Sequence, residues 1–139
     1  MAMIRKTIDI NVPASEIWDA VRDVGKLHLR VAPGMVSDCV LSGDGTERIV
    51  TFADGTVLPE TIIAIDDAVM RVVWSAKSPA WTHHNGALEV KSTGSQSCSL
   101  SWTADVLPHD AAEMIAPLME AGQATMKALY ESGLAPPKG

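Results

Sequence analysis

Apolar and polar positions along the chain switch period three times, and each switch marks a change of element. Ile4, Ile8, Ile10 and Val12 share one parity, while Arg5, Thr7, Asp9 and Asn11 take the other. That alternation predicts a half-buried strand, with Lys6 as a polar residue on the apolar parity. Pro13 closes the strand and suits the start of a helix. Ile17, Ala20, Val21 and Val24 then recur at helical spacing, which predicts about three turns of amphipathic helix. Gly25 interrupts it. A second short helix over 26–31 follows, and Pro33-Gly34 ends that one.

The period then returns to two. Strands are predicted over 35–41, 47–52, 56–65, 69–76, 82–92 and 97–106, with turns at Gly43-Asp44-Gly45, Asp54-Gly55, Asp66-Asp67 and Thr93-Gly94-Ser95. The last strand alternates most cleanly. Cys98, Leu100, Trp102, Ala104 and Val106 oppose Ser99, Ser101, Thr103 and Asp105. Strands this regular, joined by short turns, predict an antiparallel sheet with one covered face.

A helical period closes the chain. Asp110 can cap it and Glu113 can complete a capping box. Ile115, Leu118, Met119, Met126 and Leu129 form an apolar stripe, and Gly133 marks the stop. A helix of about 23 residues is roughly 34 Å long. Pro117 removes one hydrogen bond, so a kink or a loosened first turn is expected. Residues 135–139 read as a frayed tail.

Composition narrows the function more than the fold. The 139 residues fit one domain, 1–139, long enough to bury a core. A net charge of −6 argues against a nucleic-acid partner. No apolar run approaches a membrane span, and the opening MAMIRKTIDI alternates rather than forming a signal peptide. Cys39 and Cys98 stand far apart with no CxxC spacing, so a reduced, cytoplasmic setting is expected and neither reads as a metal ligand. GxGxxG, GxxxxGK and GxSxG are all missing, so no cofactor is expected. A homodimer is compatible with the chain.

The order is strand, two short helices, six strands and a long helix. The stretch IDINVPASEIWDAVRDVGKL resembles the opening strand and proline-led helix of the START-like, Bet v 1-like (SRPBCC) superfamily. RIVTFADGTVLPETIIAIDD is similar to the strand–turn–strand of its polyketide cyclase/dehydratase-like branch and, more distantly, of plant abscisic-acid receptors. WTHHNGALEV and SLSWTADV resemble the two strands before the last helix. The resemblance covers almost the whole chain. It implies an α+β helix-grip fold, a curved antiparallel sheet of about seven strands wrapped round the C-terminal helix, with a hydrophobic cavity between them. Ligand and chemistry vary across that one fold.

The pair His83-His84 gains meaning in that frame. Leu88 and Val90 are the apolar members of their strand, so even positions face inward. His84 should then point into the cavity and His83 outward, unless a bulge at Asn85-Gly86 shifts the register. Adjacent strand residues diverge, so the two do not chelate one ion, and no HxH, CxxC or HExxH spacing accompanies them. His84 is read first as a hydrogen-bonding wall and second as a general acid/base. His28 and His109 are read as surface residues.

Glu60 lies on a strand whose two parities are both apolar, so alternation leaves its side open. In the abscisic-acid receptors the matching glutamate faces the cavity, which implies a pocket acid here, with His84 and Lys6 as candidate partners. Its pKa would be raised unless a cation satisfies it. Trp18 reads as core. For Trp74 and Trp102 core packing and cavity lining both fit, and Trp81, beside Pro79, is placed in a loop over the entrance. Met114, Met119 and Met126 read as core methionines able to adapt to a ligand. The expected ligand-binding set is Glu60, Ile62, Trp74, Trp81, His84, Trp102, Leu118, Met119 and Met126. Its implied partner is a small hydrophobic molecule, lipid- or polyketide-like. The alternative is a polyketide cyclase/dehydratase-type enzyme using His84 or Glu60 as general acid/base. A second titratable group within hydrogen-bond reach would separate the two. A protein-interaction module has only exposed sheet edges in its favour.

Overall fold

The structure, a computed structural model, describes residues 2–135. The expected tail at 136–139 lies outside the described residues. Strand β1 (Ala2–Ile10) is followed by helices α1 (Ala14–Val21) and α2 (Leu27–Arg30). A meander comes next: β2 (Val36–Leu41), β3 (Glu47–Phe52), β4 (Val57–Asp66), β5 (Arg71–Ala76), β6 (His83–Gly94) and β7 (Ser97–Leu107). A 3-10 turn (His109–Ala111) leads into α3 (Ala112–Glu131). All seven strands form one antiparallel sheet in the order β1-β7-β6-β5-β4-β3-β2. Each step of the meander is a local hairpin, and among the described residues only the β1–β7 pairing spans the chain. Among the described residues no helix is long and apolar enough to cross a membrane.

The strand periods place the core. Cys98, Leu100, Ala104 and Val106 of β7 are buried, as are Gly86, Leu88 and Val90 of β6 and Val72, Trp74 and Ala76 of β5. Helix α3 crosses this face over β1 and β7, while α1 lies on β6 and β7 and α2 on β2. Gln123 of α3, itself buried, donates Nε2 to the carbonyls of Lys6 and Leu100 at 2.9 and 3.1 Å, fastening helix to sheet.

Several local expectations need correction. Helix α1 has eight residues, about two turns rather than three, because the chain turns away at Arg22. The capping box does not form. Ala111 occupies the N-cap with no side-chain hydrogen bond, since the 3-10 turn puts Asp110 before the helix proper. Pro117 sits inside α3, and the tighter turn precedes it. The ambiguous parity of β4 has a cause: its register shifts between Ile62 and Ala64. Such a bulge swaps the faces of the residues beyond it, so both parities carry apolar side chains. Leu118 does not belong to the packed stripe and is 48% exposed. The buried line on α3 is Ile115, Met119, Gly122, Gln123, Met126 and Tyr130. At 100° per residue Leu118 lies about 90° from its middle. Met114 is exposed for the same reason.

Candidate functional site

Two tryptophans stand on the inner face of the sheet, and one of them, Trp102, lies beneath α3. Trp74 rises from β5 and Trp102 from β7, with ring centroids 6.0 Å apart in an edge-on arrangement. Each lies against a glycine. A Cβ at Gly86 would stand 2.6 Å from Cε2 and Cζ2 of Trp74, and one at Gly122 would stand 2.9 Å from Cζ3 of Trp102. Bulk on one element is thus matched by absence of bulk on the next, and at Gly122 this lets α3 approach the sheet closely. Ile62 pairs with Trp74 across the β4–β5 ladder, and Met119 and Met126 of α3 are fully buried.

Glu60 is buried, but its partner is neither His84 nor Lys6. Arg48, opposite it in the β3–β4 ladder, donates Nε and Nη2 to Oε1 of Glu60, both at 2.8 Å. Its Nη1 donates to the carbonyl of Val24 at 3.0 Å, and the guanidinium lies 5.3 Å from the centre of the Trp74 ring. The two residues are 3% and 8% exposed. Burial pushes the Glu60 carboxyl above its usual range, against the pull of Arg48. Arg48 was missed in the sequence, although it shares the inward parity of Val50 and Phe52. Lys6 instead meets Glu120 of α3 at 2.7 Å, at the margin of the helix.

The histidine pair follows the strand. Register runs unbroken from His83 opposite Leu107 to Ser92 opposite Cys98, so no bulge intervenes at Asn85-Gly86. His84 shares its face with the buried Gly86, Leu88 and Val90; both histidines are half-buried. The His84 ring meets Trp81 edge-on at 4.7 Å, and Trp81 donates Nε1 to the carbonyl of Ala76 at 2.9 Å. Burial, with a smaller effect from His83, lowers the His84 pKa to about 4. An open hollow of about 230 Å³, bounded by residues 75–78 and 81–84, lies beside this ring. A wider hollow of about 600 Å³ at residues 68–70 and 89–92 sits at the other end of the β5–β6 ladder, away from the candidate residues.

Two polar atoms on this face stand out. Nδ1 of His84 and Nε1 of Trp102 are buried with no hydrogen-bond partner among the described residues. His28 Nδ1 is also buried and unpaired, so the surface reading of His28 was too simple, whereas His109 is exposed. Trp81 and Trp102 both pack against the cluster of Ile4, Ala104, Val106, Ile115 and Met119. The structure therefore brings Trp81, Trp102 and Met119 onto one apolar cluster and sets His84 beside Trp81, while Glu60, Ile62 and Trp74 lie on β4 and β5. Leu118 is left outside.

The family model for polyketide cyclase / dehydrase and lipid transport matches residues 1–135. No curated protein sequence matches. Among solved structures, the di-domain ARO/CYC BexL of the BE-7585A biosynthetic pathway superposes with a TM-score of 0.82 at 15% identity, over 98% of this chain and 48% of that one. Norcoclaurine synthase from Thalictrum flavum gives 0.72 at 18% identity, over 93% and 92%. A START superfamily protein from Mycobacterium smegmatis gives 0.67 at 17% identity, over 91% and 98%. Likeness at these identities concerns the fold, and it agrees with the sheet and long helix described above. The chain belongs to the polyketide cyclase / dehydrase and lipid transport family, and its fold is like that of the START superfamily protein and of norcoclaurine synthase.

Proposed function

We propose that residues 1–139 act as one domain that binds a small, mostly apolar molecule between the sheet and α3, admitted beside Trp81 and His84. The unpaired Nδ1 of His84 and Nε1 of Trp102 carry this reading. Folded proteins pair almost all such buried atoms, and leaving one unpaired costs about 1–3 kcal/mol. A ligand's polar group would supply the missing partner. Ile62, Trp74, Trp81, Met119 and Met126 would provide apolar wall, and Glu60, held by Arg48, a fixed polar floor. The lipid transport in the family description supports the same reading.

An enzyme of the kind named for BexL or norcoclaurine synthase would need a proton-transfer pair. Glu60 is committed to Arg48, and among the described residues no titratable group lies within hydrogen-bond distance of His84 Nδ1. Binding is therefore favoured over catalysis. Native mass spectrometry of freshly purified protein should reveal a co-purifying small molecule. After extraction, the uncharged dye Nile red should bind saturably at one site. Protein that carries nothing and binds no dye would sink the proposal.

A further inference from the structure

Resting on the binding reading above, we infer that the site takes an uncharged molecule bearing a hydroxyl or carbonyl group and turns away carboxylates. Each unpaired atom defines the chemistry at its own position, since four ladder steps separate Trp102, opposite Leu88, from His84, opposite Val106. The indole Nε1–H of Trp102 can only donate, so it needs an acceptor oxygen. His84 carries one donor and one acceptor nitrogen when neutral, and its buried Nδ1 can take a hydroxyl hydrogen or give one to a carbonyl. The ring is neutral at pH 7, since burial holds its pKa at about 4.

The cations around the interior are already engaged. Arg48 is bound by Glu60, Arg30 by Asp19 and Asp23, and Lys6 by Glu120. A carboxylate entering the grip would lose its hydration and meet no uncommitted positive charge among the described residues that face it. Lys77, at the rim of the hollow beside His84, is exposed. A carboxylate drawn to it would stay in water and leave both buried atoms unpaired. A neutral oxygen avoids that conflict, because its hydration is replaced by a hydrogen bond to Trp102 Nε1 or His84 Nδ1.

Naphthalene, 2-naphthol and 2-naphthoate share one apolar body and differ in the polar group. Their affinities should be measured at pH 7 in the Lys77→Gln variant, which removes the rim cation. In parallel, the indole ¹⁵N signal of Trp102 and the ring ¹⁵N signals of His84 should be followed in the unsubstituted protein. Naphthol should bind about threefold to tenfold more tightly than naphthalene, as one net hydrogen bond provides. Naphthoate should be weaker than naphthol by roughly a hundredfold. Naphthol should move the Trp102 or His84 nitrogen signals. Naphthoate binding as tightly as naphthol, or naphthol no tighter than naphthalene, overturns the inference while leaving the binding reading intact. If none of the three binds while Nile red does, the inference falls and the binding reading stands.

Discussion

Replacing Gly86 by alanine tests whether Trp74 is confined as the packing requires. The new Cβ would meet three indole atoms, Cε2 and Cζ2 at 2.6 Å and Nε1 at 2.9 Å. Trp74 is held by the Arg48 guanidinium 5.3 Å from its centre and by Trp102 at 6.0 Å. With little room to retreat, the substitution belongs near the top of the overpacking range, about 2–3 kcal/mol. Alanine is intrinsically better than glycine inside a strand by about 0.5–1 kcal/mol. The net loss should be about 1–2 kcal/mol, or roughly 3–10 °C in Tm for a chain of this size. Equilibrium urea unfolding followed by circular dichroism measures it. In a Trp74→Phe background the smaller ring frees the space, so Gly86→Ala should be neutral or stabilising. The double-mutant coupling should exceed about 1 kcal/mol. Gly43→Ala, where a Cβ meets nothing within 4 Å, is the control and should stay within about 0.5 kcal/mol. The reasoning is refuted if Gly86→Ala stabilises the parent protein, or costs the same in both backgrounds.

On α3, Met119→Ala should cost about 2–5 kcal/mol and Leu118→Ala less than about 0.5 kcal/mol; the reverse order in urea unfolding would mean the helix is rotated. Glu60→Leu alone strands a buried guanidinium and should cost about 3–5 kcal/mol, whereas Arg48→Met with Glu60→Leu should recover most of it. A cost below about 1 kcal/mol for the single change would contradict the ion pair's burial. For His84 the folded pKa of about 4 lies below the ordinary 6.5, so the unfolded chain takes up the proton first. Stability from this group is complete above pH 6.5 and is lost as pH falls towards 4. The ring is partly exposed, which discounts the effect to about 1–2 kcal/mol. Unfolding at pH 7 and pH 4.5 should therefore show that much extra loss relative to His84→Leu, and equal losses would refute it.

Much of this architecture is written in local periods. The unbroken alternation of β7 and the inward parity of His84 follow from spacing alone, because a paired strand has only two sides. Gly133, at a φ of 77°, ends α3 where the apolar stripe runs out. The Arg48–Glu60 pair was harder to see. Its members are 12 residues apart and meet only through the β3–β4 register, and a buried arginine has the same spacing as an exposed one. Helix α3 shows another limit. Hydrophobicity alone favours Leu118 for the contact face, but the close approach of Trp102 selects Gly122, a residue with no hydrophobic signal. The capping box failed because a side-chain motif does not specify whether the first turn will be α or 3-10.

Because β1 pairs with β7, the first strand is made long before its neighbour. Ile10 lies opposite Cys98, so about 90 residues separate the partners. At 5–20 residues per second the ribosome takes roughly 5–20 s to cover that distance. The hairpins β2–β3 through β6–β7 join neighbours in sequence and close within microseconds of emerging. On the nascent chain the meander can therefore assemble while β1 waits without an edge to join. During that interval Ile4, Ile8 and Ile10 have no sheet to cover them, and this strand is the segment most open to chaperone capture. Slower decoding anywhere between α1 and β7 would lengthen that exposure without altering the finished fold.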